Sequence, residues 1–515
     1  MKKLKLFIVP ILILFVFGGL LMQKVLSDER QLPNKNWSRD ISFPINSEEK
    51  ETPLVVSDGQ HITVYIKNKQ ALSVLETDDN FQIFKQRKIP INLTKYDPYT
   101  VIDSNIFFIS NKTLTFSDSE GKTKEIEKNV DGLANLSGNL VYWRNNEIYR
   151  LDQTTLSGKK IGSAKHPIQN IVAGNNPNIF LMVEKTDDYI YLTVLQKNGG
   201  QYEQKQLVKL TLPYNALLDG FNFVVHDQTM LITYYQFGST HGGTYRNNYL
   251  VSFNLKKYKV DSKTVKLDVV DNETGLTFST MNDLQINWIN DQPVLLFSGI
   301  GPFYGGKEAQ NIYLARQSHG QWQAQKISNT KNPSSKPVWM NNHAVLWNEF
   351  DGHSYILKGS SQNESIIQKS LHLKKEDWSD AMSTSLTQLA ISLLIFGYAL
   401  VWVIPASLFI IGLSMGNMTL MERNPRWIAV TAAVLFVITQ LIFIQRLFNG
   451  KLQTFGPGYL HFAGASYVIP VIVALFAWFL TEWVKNKDWG NIQFISYFLL
   501  TDVLMIGFLV GPYTL

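Results

Sequence analysis

An all-β extracytoplasmic domain, a seven-bladed β-propeller carried by one N-terminal and four C-terminal transmembrane helices, is the fold predicted for this 515-residue chain. Three observations predict it. Apolar stretches of membrane-spanning length occur only near the two ends. Between them, short runs rich in Val, Ile, Tyr, Phe and Leu recur in a fixed order, seven times over. Charged residues are 17% of the chain, against about 25% in a typical soluble domain, so part of the surface is expected to face lipid rather than water.

The first element is Leu6 to Met22, LFIVPILILFVFGGLLM, preceded by Lys2, Lys3 and Lys5. The basic flank places residues 1–5 in the cytoplasm and makes residues 6–26 an outward-running anchor. No small-x-small cleavage site follows Met22, so an uncleaved anchor is preferred to a signal peptide. Residues 27–49 are polar and read as a linker, although ISFPI at 41–45 has the composition of an extra strand.

Residues 50–373 hold the repeat. Its clearest strand pairs are HITVYIK with ALSVLE, NIFFISN with TLTFSD, NLVYWRN with EIYRLD, IFLMVEK with YIYLTVLQ, MLITYYQ with YLVSFNL, PVLLFSG with NIYLARQ, and HAVLWNE with HSYILKG. Runs of this length, bounded by Asn, Asp and Gly, are strands. Seven units at spacings of roughly 35 to 55 residues suit radial repetition, which leaves only short, protected sheet edges. A pair of β-sandwiches is the alternative. The Gly-His and Trp-Asp pairs of WD40 repeats are missing, and SDSEGKT at 117–123, with Ser119 where a sialidase Asp-box needs its Asp, is read as an ordinary hairpin turn.

Residues 374–385 read as a short polar linker, and residues 386–515 as four spans at about 386–413, 427–444, 465–484 and 492–511. With the β domain outside, the loops holding Arg423, Arg426, Lys485 and Lys487 fall in the cytoplasm, as positive charge prefers. The protein is thus expected to be a multi-pass cell-membrane protein with the lipid bilayer as its first partner.

Composition excludes several chemistries. There is no cysteine, so disulfides, thiolate metal sites and cysteine nucleophiles are ruled out. A large external domain without disulfides suits a bacterial envelope. The net charge of +6 gathers beside the apolar segments and forms no basic stripe, so no nucleic-acid partner is expected. The nine histidines have no metal-ligand spacing, and no metal or other cofactor is expected. Asn-x-Ser/Thr triplets at Asn92, Asn111, Asn135 and Asn272 are read as chance products of an Asn-rich chain.

Two places remain where chemistry is concentrated. The hairpins between the second and third strands of blades five and six read as long loops, FGSTHGGTYRNN at 237–248 and GIGPFYGGKEAQ at 299–310. Equivalent hairpins emerge on one propeller face, so His241, Tyr245, Arg246, Phe303, Tyr304 and Lys307, with Glu349 of blade seven, form the expected recognition surface. Glu349 and Asp351 lie on one turn with His353, and no opposing carboxylate pair can be placed to serve as acid and base, so a non-enzymatic role is expected. In the last helix, Asp502 stands in FLLTDVLMIGF, where a carboxylate is costly, and Gln440 is its candidate partner. The function expected is a ligand- or protein-binding receptor or scaffold acting with a membrane or envelope protein. A transport or export component using Asp502, and an ectoenzyme on envelope polymers, are the alternatives.

Overall fold

The computed structural model describes residues 4–514 apart from 58, 60, 137, 199–200, 241, 258, 261–263, 303–307, 450–451 and 453–455. The chain forms two compact units, a β unit within residues 32–371 and a helical unit from the chain's two ends.

The β unit is a seven-bladed β-propeller. It contains seven sheets, five of four strands and two of five, built on consecutive strands in meander order, with a non-consecutive strand added at the outer edge of blades six and seven. In blade one the strands are Leu54–Ser57, Ile62–Asn68, Ala71–Thr77 and Ile83–Ile89. Every strand pair predicted from the repeat is a second and third strand of one blade. The second strands are buried almost throughout, Ile179–Lys185 along six of its seven residues, because both of their faces meet a neighbouring sheet. That two-sided burial is why they appear in the sequence as unbroken apolar runs instead of alternating ones. From blade two, Tyr99–Ile102, to blade seven the innermost strands touch in succession, and the last, Ser334–Asn341, reaches the first, Leu54–Ser57.

Sequence order alone did not settle how the ring closes. Ile41–Ser47 pairs antiparallel with Tyr355–Ser361 and becomes the outermost strand of blade seven, so residues 41–47 belong to the propeller and not to a linker spanning 27–49. Phe43, Ile45 and Ser47 point inward. Pro44 is tolerated because an outermost strand has one edge with no ladder to feed, and the register shifts around it. Just upstream, the buried Ser38 and Ser360 hydroxyls lie 3.2 Å apart, Ser361 N–H donates to Ser38 Oγ, and Arg39 N–H donates to Ser370 Oγ.

One turn recurs at the hairpin after the third strand. Asp78, Asp118 and Asp152, in blades one to three, and Asn254 in blade five each accept two backbone N–H groups from the residues that follow. Short polar side chains favour this local bond, which fixes the reversal without a long loop. SDSEGKT is such a turn, and the N–H bonds from Lys122 and Glu120 hold Asp118 below the usual carboxylate range.

The helical unit comprises α1 (Leu4–Glu29), α3 (Lys375–Ser392), α4 (Ile395–Gly416), the short α5 (Met418–Arg423), α6 (Arg426–Phe443), α7 (Ala465–Val484) and α8 (Asn491–Val510); α2 (Glu364–Ser370) ends the β unit. Residues 374–385, expected as a linker, are helical from Lys375 on. Five helical segments are long and apolar enough to cross a membrane: Leu6–Glu29, Lys375–Gly416, Arg426–Arg446, Ala465–Val484 and Asn491–Tyr513. α8 is the most enclosed, with 78% of its apolar window buried. Around it large and small side chains are buried together, Trp402 and Phe436 with Ala406, Ala432 and Ala477, yet Leu400, Leu408, Leu475 and Phe479 are 62–67% exposed. Large apolar side chains left outside, with alanines at the helix contacts, match the packing of helices in lipid, which gives no hydrophobic reason to hide leucine.

Candidate functional site

The two long segments in blades five and six are strand extensions rather than the expected loops. Thr229–Thr240 and Gly243–Asn254 pair without interruption from Thr229↔Asn254 to Thr240↔Gly243. In blade six, Gln292–Pro302 and Glu308–Ser318 stay paired out to Pro302↔Glu308. Gly238, Ser239, Thr240, Gly243, Thr244, Gly299 and Gly301, which resembled turn residues, are paired residues on these arms. Of the expected recognition residues, His241, Phe303, Tyr304 and Lys307 lie outside the described residues; Tyr245, Arg246 and Glu349 are described.

On blade five, Tyr245 and Arg246 are built into an aromatic and polar network. A Cβ on Gly238 would lie 2.6 Å from the Tyr245 hydroxyl, so only glycine lets that ring cross the backbone. Gln236 Nε2 donates to Tyr245 Oη at 2.9 Å, and Tyr249 Oη donates to Gln236 Oε1 at 3.2 Å. Arg246 places its guanidinium 3.7 Å above the centre of the Tyr235 ring. Gly220, at φ +66°, lies against that same ring, with 2.5 Å left for a Cβ, so both its backbone angle and the close approach demand glycine. Tyr235 Oη reaches Asp219 at 3.4 Å. Burial, followed by the neighbouring Asp219 carboxylate, pushes the Tyr235 phenol above its ordinary value.

Asp283 of blade six and Lys336 of blade seven form an ion pair at 3.0 Å, and Lys336 N–H and Ser298 Oγ also donate to Asp283. Burial alone would raise the Asp283 carboxyl, but Lys336 outweighs it and holds the group below the usual range. Asp219, Tyr235, Asp283 and Lys336 were not singled out from sequence, since each is an isolated polar residue and only strand register, Asp219↔Tyr235, and the packing of blade six on blade seven make them neighbours.

Beside Arg246 lies a pocket of about 250 Å³. It exists because the outer strand of blade five breaks off. Val265–Lys266 pairs with Tyr249–Leu250, Leu267 N–H donates to Asn248 O, and the chain then departs to run parallel to Gln321–Lys326 as Val269–Asp271 on the edge of blade six. Arg246, Asn247 and Asn248 form one wall, and Lys266, Asp268, Thr277, Phe278 and Ser279 contribute to the others. Phe278 is fixed edge-on to Phe297 and Tyr313 at 5.1 and 4.7 Å. Asn248 is only 3% exposed; its Nδ2 donates to Met281 O at 3.0 Å, and its Oδ1 has no partner. Arg246 Nε is likewise buried without a hydrogen bond.

Glu349 is placed elsewhere than expected. It is 6% exposed, in blade seven, with Asn332 Nδ2 donating to it at 3.2 Å and Lys358 Nζ at 3.8 Å. Burial raises its carboxyl. Asp40, just before the closing strand, is raised to about 7 by burial and by Glu349, against the opposing pull of Lys358. These residues seal the ring closure and do not join the recognition surface. Asp351 and His353 occupy an exposed turn, in which Asp351 accepts from His353 N–H at 2.8 Å and Ser354 N–H at 2.7 Å. Among the described residues, no group of three or more His, Asp or Glu side chains could hold a metal ion.

In the helical unit, Gln440 Nε2 of α6 donates to Asp502 Oδ1 of α8 at 2.6 Å, and both residues are fully buried. Asp502 Oδ2, Gln440 Oε1 and Thr501 Oγ1 have no partner. Pairing across two helices satisfies part of the cost of placing a carboxylate at that depth.

No protein-family model matches the chain, and no curated protein matches it in sequence. Among solved structures it is similar to the crystal structure of the N-terminal domain of Nup159, with a TM-score of 0.37 and 9% identity over 64% of this chain and 96% of that one. The blade count itself comes from the seven sheets.

Proposed function

We propose that this is a multi-pass cell-membrane protein that holds its propeller outside the cytoplasm as a non-enzymatic receptor or scaffold for an envelope ligand or a membrane-protein partner. The observation that carries the reading is the blade-five surface, where Arg246 is held over Tyr235 beside a pocket with unpartnered polar atoms. Binding sites are concave, with a few convergent polar groups on a rigid frame, and this one is framed by paired strands. A non-enzymatic role is supported by the carboxylates nearby: Asp268 stands in the pocket lining with no second carboxylate among the lining residues, and two others are already engaged. Asp283 is committed to Lys336, and Asp219 to Tyr235 and its own turn, since Gly220 N–H donates to Asp219. Neither is placed as a free acid or base. The membrane reading is supported by the outward leucines and inward alanines of the helices.

The test is photo-crosslinking in intact cells from a probe placed at Lys266, followed by identification of what is captured. One recurrent envelope partner, lost when Arg246 is changed to Gln, is the expected result. Hydrolysis of a wall polymer by the purified protein would instead favour an ectoenzyme. Asp502 sustains a second reading, a transport or export component, because it is a fully buried carboxylate with one unpartnered oxygen. In that case Asp502→Asn abolishes transport while leaving the fold intact.

A further inference from the structure

We infer that the blade-five pocket binds a small hydroxylated anion, a sugar acid or a polyol phosphate, with Arg246 taking the anionic oxygens and Asn248 Oδ1 accepting from a ligand hydroxyl. The inference rests on the receptor reading above and names the chemistry its site would select.

Two unsatisfied groups of opposite kind set the requirement. Asn248 has its amide orientation fixed, because Nδ2 is bound to Met281 O, so the atom left without a partner is an acceptor. A buried acceptor with no donor costs roughly 1–3 kcal/mol; several occur in the propeller, Asn348 Oδ1 among them, and Asn248 Oδ1 and Arg246 Nε are the two on residues that line this pocket. Arg246 supplies the complementary need. It makes no ion pair or hydrogen bond among the described residues; its only contact of that class is the ring of Tyr235, and its Nε is buried and unpartnered. Stacking on a ring that Gly220 backs leaves the guanidinium edge as the free, pre-oriented part, and a guanidinium edge matches the paired oxygens of a carboxylate or phosphate.

The rest of the lining is mixed in charge. Lys266 adds a second cation and Asp268 one carboxylate, so the lining keeps a net positive charge with Arg246; Thr277 and Ser279 offer hydroxyls, and Phe278 offers a flat apolar surface of the sort a sugar ring covers. About 250 Å³ holds one such unit and excludes a polymer segment from full enclosure, so a polymer would enter by a terminal or side-branch group. A plain carboxylate would leave Asn248 unpaired, and a neutral sugar would leave Arg246 unpaired. Only a ligand carrying both features satisfies both.

The experiment is calorimetric titration of the full-length protein in detergent with D-glucuronate, glycerol 3-phosphate, D-glucose and propionate. The expected result is saturable binding of glucuronate or glycerol 3-phosphate, with the stronger of the two identifying the anion, and at least tenfold weaker binding of glucose and propionate. Arg246→Gln should weaken the preferred probe at least tenfold. Thr277→Trp, which fills the mouth from an exposed position, should do the same without touching either polar group. Equal binding of propionate, binding unchanged in both variants, or no binding of any probe would overturn the inference. The receptor reading fails separately, if crosslinking at Lys266 captures no partner, so a captured partner with no glucuronate or glycerol 3-phosphate binding removes only the ligand assignment.

Discussion

The two units of this protein bury large apolar side chains alike but differ in what they expose. In the propeller, Trp347, Phe297 and Phe253 are fully buried, and the exposed positions are mainly Lys, Glu, Asp and Asn. In the helical unit, Trp402, Phe436 and Phe498 are buried beside Ala406, Ala432 and Ala477, while Leu408 and Phe479 face outward. Water drives large apolar groups together, whereas in lipid only close packing and polar pairs such as Asp502–Gln440 favour association. The propeller has unpartnered polar atoms on residues that line a pocket, whereas in the helical unit Asp502, Gln440 and Thr501 leave unpartnered atoms at fully enclosed positions.

The largest effect expected from breaking this comparison is in the propeller. Trp347→Ala removes a fully buried ring between blades six and seven and should cost about 3–5 kcal/mol, read as a large fall in the propeller's unfolding midpoint. The matching change in the other unit, Leu408→Ala, should move stability in detergent by no more than about 0.5 kcal/mol. Equal losses at both sites would mean that the helices follow the same rule as the propeller. Next in size is Ala432→Leu, which overpacks a helix contact with no free space and should cost about 1–3 kcal/mol in micelles. Gly220→Ala should fall in a similar range, about 1–3 kcal/mol, since its φ of +66° and the Tyr235 ring both oppose a Cβ.

A smaller effect depends on pH. In the fold Asp40 titrates near 7, because burial and Glu349 disfavour its charge, whereas an unfolded chain titrates at about 4. The folded protein then holds a proton that the unfolded chain has already released. This group's contribution is full below about pH 4 and is lost as pH rises through 7. Asp40→Asn should raise the melting temperature at pH 8 and leave it nearly unchanged at pH 4; a rise of equal size at both values would remove Asp40 as the titrating group. Comparable to the small effect at Leu408 is that of Asp502→Asn. Interhelical hydrogen bonds contribute about 0.6 kcal/mol on average, so thermal stability in micelles should barely change if the pair only fastens α6 to α8.

The parts of this architecture that were legible in the sequence are those set by local pattern. Unbroken runs such as IFLMVEK mark strands buried on both faces, and the Asp502–Gln440 pair was readable because both are polar residues in apolar stretches. What stayed hidden depends on distant segments meeting. ISFPINS carries the alternation of a strand, but nothing in it names Tyr355–Ser361 as its partner. Gly238 and Gly243 look like turn residues, yet Gly238 makes room for Tyr245 and Gly243 pairs with Thr240 on the extended arm. Glu349 read as exposed because its neighbours Asp351 and His353 are, while the closing strand and Asp40 enclose it. Asn248 gave no signal at all, since its significance depends on Met281 being brought alongside by the chain that crosses from blade five to blade six.

The absence of native cysteine allows the central claim, a propeller held outside the membrane by lipid-embedded helices, to be tested directly. Single cysteines replacing Tyr214, 94% exposed on the propeller, and Lys487, between α7 and α8, would be treated in intact cells with a membrane-impermeant maleimide. The account predicts that Tyr214→Cys is labelled in intact cells and Lys487→Cys only after lysis. Labelling of Lys487→Cys in intact cells, with Tyr214→Cys protected until lysis, would contradict it.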